Sequence, residues 1–353
     1  MAKVETMEQI ASNGKTVVSR AFVQGRFVAL KEVRAAFDQS SNRAQSATRE
    51  VVLLYCLSHP TIVVLREVAF QEDSLLLTFD YMSADLRHVI IGDRLAGHGR
   101  SRVAHQLFAA LEFLHSARIA HRTIEPAHIL MDESSCRARL CGFSSARYCG
   151  EYTDENHQLT KEDDAKRPYC YRAFEDLAGD SWSAPKGDIW AAGCILIEME
   201  TRSPAFPRFS KAAVLESHIK CRDHRDNKTD SSPIIRARIH AARASTDTTR
   251  KHDDDVDDCA SLLKEKERQD DVSDLALSCV TLDPTCRPSA SATLLHPLFS
   301  SLPIQTQRHI GPLYDHIEDH LGDALLEERR RLKPHDYKKH LFDYISRAKV
   351  SRS

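Results

Sequence analysis

Apolar and polar positions change their period several times along this chain. Over residues 1–35 they alternate, and β-branched residues cluster, as in Thr16-Val17-Val18 and Phe27-Val28-Ala29-Leu30. A period of two with Val and Thr predicts two or three short antiparallel strands. From Arg43 to Leu57 the apolar residues return at helical spacing and predict a helix. Leu75-Leu76-Leu77-Thr78-Phe79 is an apolar run of strand length, which predicts a buried strand. Ser101 to Ala117 shows the helical period again, and Asp188 to Met199 is so apolar that a core helix is predicted. Residues 210–270 turn polar, with Asp253-Asp254-Asp255-Val256-Asp257-Asp258, and read as a partly ordered insert. Leu275–Val280 and Ala290–Leu295 return to helix, and residues 301–353 form a charged tail with helical patches.

Composition narrows the class. The chain has 353 residues, 42% hydrophobic and 28% charged, a globular balance with enough length for a large core. A net charge of −2 offers no argument for nucleic acid or for a membrane surface. No apolar run reaches the length of a transmembrane helix, and Met1 to Glu8 lacks the apolar stretch of a signal peptide. Ten cysteines without paired metal spacing read as reduced thiols, so the expected location is cytoplasmic or nuclear.

The chemistry gathers in His121-Arg122-Thr123-Ile124-Glu125-Pro126-Ala127-His128-Ile129-Leu130. This resembles the protein-kinase catalytic loop, H-R-D-L-K-P-x-N-I-L. The resemblance puts Thr123 where the family has its proton-accepting Asp, Glu125 where it has Lys, and His128 where it has a metal-holding Asn. Leu140-Cys141-Gly142-Phe143-Ser144-Ser145-Ala146-Arg147 resembles L-A-D-F-G-L-A-R, with Gly142 at the metal-binding Asp. Ser46-Ala47-Thr48-Arg49-Glu50 resembles S-T-A-I-R-E, and His59–Val63 resembles H-P-N-I-V. Tyr171–Glu175, Asp188–Cys194 and Leu282–Ala290 resemble Y-R-A-P-E, D-I-W-S-L-G-C and the L-x-x-D-P-x-x-R-x-S-A region. The resemblance spans residues 4–300 and is nearest the cyclin-dependent-kinase-like (CMGC) branch. It implies an α+β bilobal fold, with a small antiparallel β lobe carrying one key helix over 1–82. A larger, mainly α lobe would run over 83–300 with the insert at 210–270, followed by the tail at 301–353.

The resemblance also implies which parts were kept. Lys31 and Glu50 fall at the strand lysine and its helix partner, and either help hold a nucleotide or form a structural ion pair. Val18, Ala29, Phe79 and Leu130 fall at the nucleotide pocket. Leu54, Leu65, His121 and Phe143 fall at the four stacked spine positions, Glu175 and Arg287 at a buried ion pair, and Asp188 at the anchor of the catalytic loop. Ile10 to Val18 falls at the glycine-rich loop, with Ala11, Asn13 and Thr16 in place of the three glycines that let backbone approach phosphate. A positioned base contributes about a hundred- to ten-thousand-fold to rate, and magnesium wants hard oxygen ligands that Gly142 and His128 do not offer.

The expectation is therefore a catalytically inactive homologue, a pseudokinase acting as a protein-binding scaffold or allosteric regulator. Its partner would be a protein, cyclin-like at Ser46–Glu50 or another kinase, with no nucleic acid and no membrane. No cofactor and no metal site are expected, and any nucleotide taken would be ATP without magnesium. Two alternatives stay open: a weak or atypical serine/threonine kinase using another carboxylate, Glu125 or Asp132, and a nucleotide-binding switch without turnover.

Smaller readings follow. Gly14-Lys15-Thr16 mimics the end of a phosphate-binding loop but has Gln9 where that motif needs Gly. Asp163 stands where the branch carries an activating phosphothreonine, with Arg122 and Arg147 at phosphate-holding positions. Pro168 and Phe174 alter the peptide-docking platform. His340-Leu341-Phe342-Asp343-Tyr344-Ile345 is an apolar patch that would dock on the large lobe or on a partner.

Overall fold

The computed structural model describes residues 4–38, 43–95, 98–149, 167–179, 184–206, 210–223, 271–302 and 333–352. The alternating segment forms β1 (Val4–Ser12), β2 (Thr16–Val23) and β3 (Arg26–Val33). Along β2 the pattern turns Val17, Ser19 and Ala21 inward, as a period of two requires. Helix α1 (Arg43–Cys56) comes next, then β4 (Leu65–Gln71) and β5 (Ser74–Asp80). The five strands make one antiparallel sheet in the order β1-β2-β3-β5-β4. The apolar run Leu75–Phe79 lies in β5, where Leu75 and Leu77 are fully buried.

The remainder is mainly helical. A short strand β6 (Ala84–Asp85) leads into α2 (Leu86–Ile91), whose first turn is capped by the Asp85 carboxylate accepting from His88 N–H. Helix α3 (Gly99–Ser116) buries Val103, Leu107, Phe108, Leu111 and Leu114 at helical spacing. The strands β7 (Ile119–Ala120), β8 (Ile129–Asp132), β9 (Arg137–Leu140) and β10 (Arg147–Tyr148) frame the functional loops. Helix α4 (Phe174–Ala178) precedes α5 (Ala184–Thr201), in which every residue from Asp188 to Met199 is buried, as its apolar composition predicts. Helices α6 (Lys211–Asp223), α7 (Asp271–Cys279), α8 (Ala290–Thr293) and α9 (Pro334–Arg352) follow among the described residues. Gly193 lets α5 and α7 approach closely, because a Cβ there would stand 2.6 Å from Cys279 Cβ. Glu175 and Arg287 meet in a buried two-pronged ion pair, 2.6 Å on each arm.

A small antiparallel sheet with one key helix, followed by a mainly α part, is the bilobal α+β fold of the expectation. The insert gains detail, and one expectation changes. The start of the polar stretch at 210–270 is an ordered helix, α6, which buries Val214, Leu215 and Ile219; residues 224–270 lie outside the described residues. The apolar patch of the tail lies in α9, and it packs on α1 instead of on the large lobe. Tyr337, Leu341 and Ile345 form the buried stripe, four residues apart. Tyr344 meets Tyr55 edge-on, and its hydroxyl lies 3.1 Å from Cys56 Sγ. Among the described residues no helix is long and apolar enough to cross a membrane.

Candidate functional site

Asp188, at the start of the core helix α5, holds the loop that follows β7. Its carboxylate accepts the backbone N–H groups of His121 (2.8 Å) and Arg122 (2.7 Å) and a bond from His115 Nε2 (3.0 Å). Burial pushes the Asp188 carboxyl up, but the bond and charge of His115 outweigh it and hold the group below its ordinary value. Arg122 adopts φ +71°, a left-handed backbone unusual for a side-chain-bearing residue, and the Asp188 bonds offset that strain. Neither His115 nor the strained Arg122 backbone is marked by any local spacing in the sequence.

His121 is fully buried and packs edge-on against Phe143, with ring centres 4.9 Å apart. Its Nε2 donates to the Cys141 carbonyl at 3.0 Å, so Nδ1 carries the lone pair. Burial pushes its pKa down to about 4 and keeps it neutral. Thr123 Oγ lies 3.3 Å from that Nδ1 and 3.3 Å from the Gly142 carbonyl, so its single hydrogen is directed inward. Leu54 and Leu65 are buried along with His121 and Phe143, which brings the four spine positions into one core.

Above this core, Lys31 Nζ lies 2.7 Å from both carboxylate oxygens of Glu50. The sheet register sets Val18 opposite Lys31 and Ala29 opposite Phe79, and Leu130 faces the apolar cluster from β8. Arg49, next to Glu50, donates to the Ser144 carbonyl and ties α1 to the turn Phe143–Ser145.

The positions that the family uses for metal are altered in shape as well as in kind. His128 Nδ1 lies 2.7 Å from the Thr123 carbonyl oxygen and 3.4 Å from Glu125 Oε1. Its ring fills the space over Gly142, where an added Cβ would stand 2.6 Å from Cδ2 and 2.9 Å from Nε2. Gly142 has φ +86° and supplies no side-chain oxygen, so this donor set does not fit magnesium. Among the described residues no group of three His, Cys, Asp or Glu could hold a metal ion.

The two alternative carboxylates separate. Glu125 stays by the loop, near His128 and 4.0 Å from an Arg87 nitrogen. Asp132 accepts from the hydroxyls of Ser134 (2.6 Å) and Ser135 (2.7 Å) and serves the turn after β8. Those hydroxyl bonds hold its carboxyl below its ordinary range. Gly14-Lys15-Thr16 is a hairpin turn between β1 and β2, in which Asn13 Oδ1 accepts from Lys15 N and Thr16 N, and Gly14 takes φ +77°. Beside the loop, Arg167 donates to the Arg122 carbonyl (2.8 Å) and to Asp176 (2.5 Å), next to Pro168. Arg167 sits just before a recognised motif and carries no signal of its own. Asp163 lies outside the described residues.

The family model described as "Protein kinase domain" matches residues 5–299. Mitogen-activated protein kinase 15 of Mus musculus is 38% identical over 201 residues, covering 56% of this chain and 36% of that protein. Mitogen-activated protein kinase 10 of Oryza sativa subsp. japonica is 31% identical over 288 residues, covering 79% and 44%. Cyclin-dependent kinase 1 of Encephalitozoon cuniculi is 32% identical over 218 residues, covering 58% and 68%. The chain thus spans about a third of the mouse protein's length. These findings overturn the expectation of an inactive scaffold: the domain matched is a protein kinase domain and the relatives are named as kinases. They back the alternative of an atypical serine/threonine kinase.

Proposed function

This chain belongs to the protein kinase family, in the branch of the mitogen-activated and cyclin-dependent kinases, and on that premise we propose that it is an atypical serine/threonine protein kinase. It transfers the γ-phosphoryl group of ATP to a hydroxyl of a protein substrate. The observation that carries this reading is the pair between Lys31 and Glu50, 2.7 Å on both arms. Forming that pair requires α1 to sit against the sheet, and Arg49 and the buried spine hold it there. Lys31 supplies positive charge for the nucleotide's phosphates, and Val18, Ala29, Phe79 and Leu130 are the apolar residues proposed to hold its base. Because the donor set does not suit magnesium, the nucleotide leans on Lys31 and on apolar contact, and turnover is slow.

The partner inferred is the substrate protein. Helix α9 meets α1 at Tyr55 and Cys56, its last two residues, beyond Ser46–Glu50, where a cyclin-like subunit is a second protein partner of this proposal.

Transfer of labelled γ-phosphoryl to a serine-containing protein such as casein tests the reading. The full chain should transfer measurably and the Lys31→Met variant should not. Equal background from both sinks the proposal; ATP binding without transfer would leave a nucleotide-binding switch.

A further inference from the structure

Resting on that kinase reading, the geometry points to His128 as the group that takes the proton from the substrate hydroxyl. The hydrogen bond at Nδ1 fixes the tautomer. Its partner 2.7 Å away is the Thr123 carbonyl oxygen, which only accepts, so Nδ1 carries the hydrogen and Nε2 the lone pair. Among the described residues Nε2 makes no hydrogen bond, and it is not one of the buried polar atoms left without a partner. Nε2 lies 2.9 Å from the point where a Cβ on residue 142 would stand, and residue 142 is glycine. The side chain is 30% exposed, so a substrate hydroxyl can reach it from the cleft.

Glu125 supplies the other half of a base. Its Oε1 lies 3.4 Å from Nδ1, on the hydrogen-bearing side of the ring, and its side chain is 14% exposed. A carboxylate there stabilises the imidazolium that forms when Nε2 takes a proton, the same logic by which a third group orients a catalytic histidine. Glu125 therefore acts through His128 and is a positioning residue. The competing groups are spent. The Thr123 hydroxyl hydrogen faces His121 Nδ1 or the Gly142 carbonyl, and Asp132 is taken up by Ser134 and Ser135.

The step balances. The substrate oxygen forms a bond to the γ-phosphorus, the bond from that phosphorus to the β,γ-bridging oxygen breaks, and ADP leaves with the electron pair. The hydroxyl proton passes to His128 Nε2 and then to water.

The test measures phosphoryl transfer to casein by the full chain, by His128→Ala and His128→Gln, and by Glu125→Gln, with and without free imidazole. A lost general base should lower kcat by about a hundred- to ten-thousand-fold in both His128 variants, with KM for ATP unchanged. Imidazole should restore part of the rate in His128→Ala, whose vacated space admits it, and not in Glu125→Gln. His128→Gln keeps an N–H donor for the Thr123 carbonyl, so a folding defect alone would not affect it in the same way. Full activity in either His128 variant, or no imidazole rescue of a folded His128→Ala, removes His128 from the reaction and leaves the kinase reading standing. No transfer by the unaltered chain overturns both.

Discussion

The imidazole of His128 occupies the space that a side chain at Gly142 would need, with Cδ2 only 2.6 Å from the position of a Cβ there. The two residues lie on the loops flanking β8 and β9 and meet across them, so each depends on the other. Seen singly, a missing Asp and a misplaced His look like two losses. Seen together, one makes room for the other.

The pair should therefore be coupled. Gly142→Asp alone must displace the His128 ring and also place a side chain at φ +86°. We expect it to lower stability by about 1–3 kcal/mol, as neighbouring substitutions in contact do. Adding His128→Asn should return most of that loss, and the double variant should acquire a magnesium-dependent thermal shift with ATP. Denaturant midpoints of the four proteins close the cycle; additive losses would show that the contact is not coupled.

Lys31 should decide nucleotide binding. The unaltered chain is expected to show the same ATP-induced rise in Tm in EDTA as in magnesium, because its cleft offers no fitting oxygen set beside Gly142. Lys31→Met should abolish that rise and leave the Glu50 carboxylate, only 4% exposed, without its partner. A shift that requires magnesium would mean that another side chain supplies the missing oxygen.

The tail helix α9 should stabilise α1. Leu341 is completely buried, and Leu341→Ala is expected to cost about 2–5 kcal/mol. The Tyr344 ring packs on Tyr55, and its hydroxyl lies 3.1 Å from the Cys56 thiol. Removal of residues 333–353 should accelerate modification of Cys56 by a thiol reagent, followed by peptide mass. An unchanged Cys56 rate would mean that α9 does not shield this face.

Acid should destabilise the fold through two neutral buried histidines. His218 is 1% exposed and packs against the stacked rings of Trp190 and Phe206, with ring centres 4.6 and 4.3 Å away, and burial pushes its pKa down to about 3. His121 is pushed down to about 4 for the same reason. An unfolded histidine titrates near 6.5, so below that pH the unfolded chain binds protons that the folded chain refuses. The stability from these groups is present above pH 6.5 and is lost as pH falls toward their folded values, by about 1.4 kcal/mol per pH unit for each group. His218→Phe should flatten that slope and cost little at pH 7, since neither ring nitrogen has a hydrogen-bond partner among the described residues. Urea midpoints from pH 4 to 7 would show the change; an identical slope in the variant would remove His218 from the account.

Much of this protein is written in local pattern. A period of two marked β1 to β3, a helical period marked α1 and α3, and an unbroken apolar stretch marked the core helix α5. Short motifs located Lys31, Glu50, Asp188 and the catalytic loop, because such motifs depend on neighbours along the chain. What those residues do to one another was not legible there. Reading residue types alone made Thr123, His128 and Gly142 three separate losses and preferred Glu125 to Asp132 only because it lies two residues past Thr123. Tertiary structure decided that His128 fills the space over Gly142, that its Nδ1 is held by Thr123, and that Asp132 belongs to a turn. It also seated the tail on α1, joining Cys56 to Tyr344 across 288 residues of sequence. Periodicity is set by the geometry of one strand or one helix. Contacts of this kind are set by how distant segments close-pack, and no short window of the chain contains both partners.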